Sequence, residues 1–385
     1  MPHLERWIVE QGLRHADVRV LLAGVADGLV AEGIPLLRAY IALPTVNPTI
    51  RVFNHIWTRT GGAQVEGVSH ERDQSAFERS PFGLMIREGV TERHWHLGDR
   101  ASAWFDVFDE LQAQGATDYL ARLVPYESAE APALRGMAAS FSTDRPGGLQ
   151  PEEVARIDAL LPLLALAAYR MALFNLTLAI VDTYVGFSAG RRVLSGEIQR
   201  GSGQTLRAAL LIADLRGFTA AADTGGAGLI GLLDEHLEAM AAPVLAHGGE
   251  ILKFLGDGLL AAFPIHDGRT EEEACRAAVQ AAREAVSANR ALNGTRGAEP
   301  ELPLDVALHC GEVFYGNIGS AQRLDFTVIG PAVNEASRIE ALCGPLGCSI
   351  LMSSVVAAAT PYPTRSLGRH ALRGVGEERE LFTLA

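Results

Sequence analysis

Residues 159–181 are the most apolar stretch of the chain, and what they become sets the architecture. The stretch has the length of a membrane span. Against a span stand Arg170 near its centre, Asn175, Thr177 and Pro162. A central arginine costs about 2.5–3.5 kcal/mol even on insertion scales. Spacing offers a better reading. Leu161, Leu164, Ala168, Met171, Asn175, Leu178, Asp182 and Val185 follow one another at intervals of three and four. That is a heptad seam, in which a polar Asn175 fixes register at some cost in stability. A coiled-coil helix joining two copies of the chain is therefore predicted. A buried helix is the second reading and a membrane span the last.

The residues on either side differ in character. All four tryptophans, Trp7, Trp57, Trp95 and Trp104, precede the apolar stretch, and all four cysteines, Cys275, Cys310, Cys343 and Cys348, follow it. Two or three domains suit 385 residues. With 48% hydrophobic and 21% charged residues, each domain can bury a core, and wholesale disorder is excluded. A net charge of −13 argues against a basic nucleic-acid-binding module. The cysteines form no CxxC, so neither a disulfide framework nor a thiolate zinc site is expected. Polar sequence after Met1 contains no apolar signal core, and a cytoplasmic location is expected. Lysine occurs once, at Lys253, among 33 basic residues.

In the N-terminal part, residues 16–32 carry a helical pattern. Extended runs follow at 36–43 and 50–59, separated by Pro44 and Pro48, and the second ends at Gly61-Gly62. Residues 118–125 and 137–143 are strand-like. Pro146-Gly147-Gly148 then leads into Pro151-Glu152-Glu153, a helix start with proline first and acids in the first turn. This order, with the segment SFSTDRPGGLQPEE, resembles a GAF-type sensory domain over residues 1–150. The resemblance implies an α/β domain that takes a small-molecule effector, whose identity is not legible. Without cysteine here, a thioether-linked bilin or a Cys-ligated haem is not expected. Strand alternation puts His94 and His96 on one face. They can be read as a ligand pair, but a solvated polar face is the first reading.

Residues 190–205 are rich in Gly, Ser and charge and read as a junction, so that 151–205 form a signalling helix and linker. A second domain is expected over 206–385. Residues 208–213 are a continuous apolar run ending in Asp214, followed by LRGFT and a helical stretch through Leu229, Leu232, Leu233, Leu237 and Met240. A strand that ends in an acid and turns into a helix sets backbone N–H groups beside a carboxylate, which suits a polyphosphate with Mg²⁺. Residues 250–263 hold two apolar runs around Gly256-Asp257-Gly258, a β-hairpin with an acid at its tip. Asp and Gly favour turns anyway. Two carboxylates from separate strand ends can nevertheless hold two metal ions for chemistry at phosphorus. Thr270 and Glu273 make a capping box for a long Ala-rich helix. Residues 304–319 are a second hairpin candidate and 324–330 a strand. Pro331 starts a helix on which Asn334 and Arg338, four apart, share a face.

The motifs IADLRGFT, GGEILKFLGDG, ALHCGEVFYGNIG and DFTVIGPAVNEASRIE, in this order, resemble the catalytic domain of class III nucleotidyl cyclases. The resemblance implies a ferredoxin-like βαββαβ core that works as a homodimer, with active sites between the subunits. It implies Asp214 and Asp257 as ligands of two Mg²⁺ (or Mn²⁺) ions, with Leu215 in the metal set. Lys253 and Thr327 are the implied purine-selecting residues, and Phe218 joins the substrate-binding set. Asn334 is implied to orient the ribose, and Arg338 to offset charge on the α-phosphate. Each site would take its metals from one subunit and Lys253, Thr327, Asn334 and Arg338 from the other. The implied activity is an adenylate cyclase converting ATP to 3′,5′-cyclic AMP and pyrophosphate, controlled by the N-terminal domain.

Two positions depart from the family pattern. Asp305 stands where many members carry an arginine for the triphosphate, leaving Arg373 as the candidate replacement. Thr327 stands where many carry aspartate. A guanylate cyclase is the lesser alternative, since a lysine only donates hydrogen bonds and guanine offers N1–H and N2–H₂ donors. A catalytically silent regulatory subunit is the other.

Overall fold

The computed structural model describes residues 2–14, 17–47, 50–71, 75–98, 104–126, 134–219, 228–266, 268–296 and 301–385. Ala16 and Pro48 lie outside them. The chain divides into two compact units, residues 1–180 and 181–385.

In the first unit, helices α1 (Pro2–Arg14) and α2 (Val18–Ala31) precede β1 (Leu36–Pro44), β2 (Ile50–Thr58) and β3 (Gly62–Ser69). Then come α3 (Ser75–Glu78), α4 (Pro81–Glu88), β4 (Glu92–His96), α5 (Asp106–Ala113), β5 (Asp118–Pro125), β6 (Gly136–Thr143) and α6 (Pro151–Tyr184). Asp17 caps α2 by accepting the Arg19 amide at 2.9 Å. The six strands form one antiparallel sheet in the order β3-β2-β1-β6-β5-β4. Period-two alternation gives this sheet two apolar faces. On one, Leu36, Ala39 and Ile41 of β1 meet Leu21, Leu22, Val25 and Leu29 of α2 and the inner stripe of α6. On the other, Trp95 and Tyr119 meet Phe82 and Met85 of α4 and Phe108 and Leu111 of α5.

The helix α6 corrects the seam expectation over its first half. Leu161, Leu164, Ala168 and Met171 have the predicted period, but they are buried in the unit's own core. A stripe at spacings of three and four satisfies a sheet as well as a second helix, and here the sheet takes it. Beyond Met171 the seam residues lie outside this core. Asn175 is exposed, and Leu173, Phe174, Ile180, Tyr184 and Val185 are apolar side chains left on the surface. By length and composition α6 is long and apolar enough to cross a membrane.

The second unit opens with α7 (Phe187–Leu194). It continues through β7 (Gly203–Leu215), α8 (Gly228–Ala246), β8 (Glu250–Leu255), β9 (Gly258–Pro264), α9 (Glu271–Thr295) and β10 (Leu304–Gly319). The last six form a βαββαβ core with strand order β10-β7-β9-β8, the ferredoxin-like order. Next are β11 (Leu324–Ile329), α10 (Pro331–Glu340), α11 (Cys343–Leu346), β12 (Ile350–Ser353), α12 (Ser354–Ala359), β13 (Thr364–His370) and β14 (Arg379–Leu384). Strands β12, β14 and β13 extend the sheet beyond β10. The continuous apolar run of β7 reflects burial on both faces. Ala209, Leu211 and Ala213 face α8 and α9, and Ala208, Leu210 and Ile212 face β11 and α10. The capping box of Thr270 and Glu273 starts α9 as read.

Residues 304–319 are one strand, not a hairpin. All 13 residues from Leu304 to Gly316 pair with β7, and the chain reverses only after Gly319, to pair with β11. The internal glycines serve close approach. A Cβ at Gly316 would overlap the Ser202 carbonyl, and one at Gly311 would crowd Ala332.

Candidate active site

Strand register brings three carboxylates to one end of the second sheet. Asp214, at the end of β7, pairs with Gly258 on one side and with Asp305 on the other. Asp257 sits in the two-residue β8–β9 turn, whose first residue, Gly256, has φ +71°. Gly258 has no room for a side chain, because a Cβ there would overlap the Ala213 carbonyl. Without that glycine the turn would not seat Asp257 beside Asp214. Glu340, at the end of α10, completes the group.

These acids sense one another. Burial, then Asp257, then Asp305, push the Asp214 carboxyl up to about 6. Burial, then Asp214, Asp305 and Asp257, push Glu340 up to about 7. Among the described residues, Arg216 is ion-paired with one of these acids: its Nε donates to Asp305 Oδ2 at 2.9 Å, and its Nη2 reaches Oδ1. Hard oxygen donors in excess of nearby cations suit Mg²⁺ or Mn²⁺, and Asp214 and Asp257 can hold such ions.

Both raised values carry a consequence for stability. A carboxyl whose folded pKa exceeds its unfolded one stabilises the fold at low pH, and that contribution is lost as pH rises through the folded value. In chelator, the protein is expected to melt at lower temperature at pH 8 than its Asp214→Asn variant, with the gap closing towards pH 5. Mg²⁺ should raise the wild-type melting temperature at pH 8. Thermal melts over this range check both; identical profiles for the two proteins would contradict the clustering of charge.

Leu215 and Phe218, which the sequence placed in the metal and substrate sets, have their side chains buried in the α8–α9 core. Lys253 Nζ donates to Asp325 Oδ2 at 2.9 Å, and this holds the Asp325 carboxyl below its usual range. Thr327 lies two residues further along β11, on the face that carries Asp325, while Phe326 and Val328 point into the core. Asn334 and Arg338 are exposed on α10, whose Ala332, Ala336 and Ile339 are buried. Arg373 lies exposed between β13 and β14. Among the described residues, no hydrogen bond or ion pair joins Asp214 or Asp257 to Lys253, Asn334, Arg338 or Arg373. The guanidinium that the fold brings to Asp305 is Arg216. Arg216, Glu340 and Asp325 were not singled out from sequence. Asp305, an acid where a cation is expected, was the one signal that a compensating arginine stood nearby.

Residues 202–384 match the family described as the adenylate and guanylate cyclase catalytic domain. The chain is 34% identical over 162 residues to an adenylate cyclase of Anabaena cylindrica, across 41% of this chain and 32% of that protein. It is 29% identical over 238 residues to adenylate cyclase 2 of Rhizobium meliloti (strain 1021), across 60% of this chain and 64% of that protein. It thus spans about a third of the first relative's length and just under two thirds of the other's. A solved bacterial light-regulated adenylyl cyclase shares the fold, with a TM-score of 0.50 at 15% identity, over 90% of this chain and 94% of that one. The C-terminal unit is a class III adenylate/guanylate cyclase catalytic domain.

Proposed function

We propose that the protein is an adenylate cyclase, forming 3′,5′-cyclic AMP and pyrophosphate from ATP at sites shared between two copies of the chain. The observation that carries this reading is the division of the machinery. One end of the sheet holds the acids Asp214 and Asp257, while among the described residues no hydrogen bond or ion pair joins Lys253, Thr327, Asn334 or Arg338 to them. In a head-to-tail pair, each set of acids meets the other copy's nucleotide-reading set. The ribose 3′-oxygen loses its proton and attacks the α-phosphorus, and the bond to the leaving pyrophosphate breaks. Metal ions on Asp214 and Asp257 would acidify the hydroxyl and offset phosphate charge. Asn334 positions the ribose, and Arg338 offsets charge developing at the α-phosphate. Arg216 keeps Asp305 paired, so the acid does not repel the triphosphate.

Lys253 donates to adenine N1, and Asp325 or Thr327 accepts from the 6-amino group. Asp325 also keeps GTP as a second reading, since O6 and N1–H of guanine present the same acceptor and donor order. Turnover assays with ATP and GTP, each with Mg²⁺ and Mn²⁺, decide. Cyclic AMP as the main product supports the proposal, cyclic GMP supports the alternative, and no product supports a silent regulatory subunit.

The N-terminal unit is proposed to be a GAF-like sensory domain whose effector acts through α6. The helix ends at Tyr184, and Gly186 at φ +94° breaks it, so phase must be altered inside the helix. Inserting seven residues after Ile180 restores the phase of a heptad, whereas three or four rotate it. The seven-residue insertion is expected to keep more basal cyclase activity. Equal activity of all three would make α6 a passive tether.

A further inference from the structure

The first unit contains a cluster that the cyclase reading leaves unused. In β4, Trp95 turns inward against Phe105, Phe108 and Tyr119, which leaves His94 and His96 together on the opposite face. Antiparallel pairing sets His96 directly across from Asp118, the first residue of β5. Asp118 is fully buried, with 0% of its surface exposed. His94 Nε2 lies 2.6 Å from its Oδ2 and His96 Nδ1 2.9 Å from its Oδ1. One donor atom from each residue falls within 4.8 Å of the others.

Asp118 is held in place from behind. Its Oδ2 accepts the Leu149 amide at 2.8 Å. Gly148, at φ +75°, lets that loop close over the carboxylate, where a Cβ would overlap it. The other oxygen, Oδ1, is buried without an aligned hydrogen bond. A buried carboxylate oxygen left unpaired is costly. Here it faces His96 Nδ1, while His94 Nε2 meets the other oxygen.

We propose that His94, His96 and Asp118 bind a divalent first-row transition-metal ion, with Zn²⁺ as its representative. Two imidazoles and one carboxylate are a recurrent donor set for such ions, and three protein ligands leave a further position open. The open position lies on the solvent side, because the His96 side chain is 63% exposed. Metal–ligand bonds of about 2.0–2.2 Å hold donors roughly 3.0–3.5 Å apart. The two His–Asp separations, 2.6 and 2.9 Å, are shorter than that and must widen to admit an ion, which the partly exposed rings can supply. The Leu149 amide is then the outer partner that orients the carboxylate.

The test uses the full chain with Zn²⁺, in excess Mg²⁺ to occupy the acids of the C-terminal unit. Bound metal is counted after desalting, and Co²⁺ is added in parallel for its visible absorption. One Zn²⁺ per chain is expected, with Co²⁺ bands of nitrogen and oxygen ligation. His94→Ala and His96→Ala should each weaken binding by at least ~10-fold, with circular dichroism unchanged. His96→Gln, at the exposed position, guards against misfolding. A wild-type chain that binds no Zn²⁺, or folded His96 variants that bind it equally well, would overturn the proposal and leave the trio a hydrogen-bonded clasp between β4 and β5. The readout is metal content, so it stands apart from the cyclase reading.

Discussion

Asp257→Ala protein is expected to lose cyclic-nucleotide formation by at least about 10²-fold, the scale of removing a key electrostatic element from a polar site. Asp214→Ala should do the same. Asp257 lies in a partly exposed turn, and its truncation leaves no cavity in the core. Removing one of several crowded acids also relieves repulsion, so in chelator neither variant should be less stable than the parent. Activity loss with retained or raised melting temperature therefore separates a catalytic role from a structural one. Near-parental turnover in either pure variant would remove the pair from the site. Arg216→Ala tests the neighbouring assignment, since it leaves the buried Asp305 unpaired. Weaker nucleotide affinity is expected there, read as a rise in KM larger than the fall in kcat.

Mixing two inactive variants is expected to restore activity. Asp257→Ala protein keeps Lys253, Asn334 and Arg338, and Arg338→Ala protein keeps both aspartates. After subunit exchange, a heterodimer carries one site with every group intact and one lacking both. A statistical mixture is half heterodimer, so recovery towards about a quarter of parental activity per chain follows, against losses near 10²-fold in each parent. Separately tagged chains measure heterodimer formation by co-purification. Demonstrated heterodimers without activity would show that each chain completes its own site. The prediction draws on exposure. Asn334 and Arg338 lie on the outer side of α10, and the Lys253–Asp325 pair is nearly half exposed, as befits groups awaiting a second surface.

Much of this protein was legible along the chain because the signals are local. A proline, a capping Thr270 with Glu273, and the glycines around Asp257 act within a few residues. They placed the start of α10, the start of α9 and the β8–β9 turn where they occur. The alternating and continuous apolar runs of the two sheets were readable for the same reason. Periodicity states that a face must be covered, and it is silent on what covers it. Leu161, Leu164, Ala168 and Met171 have the spacing of a coiled-coil seam, yet they pack on a sheet of their own unit. Gly311 and Gly316 have the composition of a turn, yet they lie in a straight strand, because neighbouring segments press against them. The acid group shows the same division. Asp214 and Asp257 stood out at strand ends, whereas Asp305 and Glu340 join them through register and helix docking over long stretches of chain. Arg216, Asp325 and the burial of Asp118 between two histidines are likewise products of long-range pairing. Residue types and spacing set which chemistry was available here. Packing chose which charges face one another, because charge and burial act through space and ignore distance along the chain.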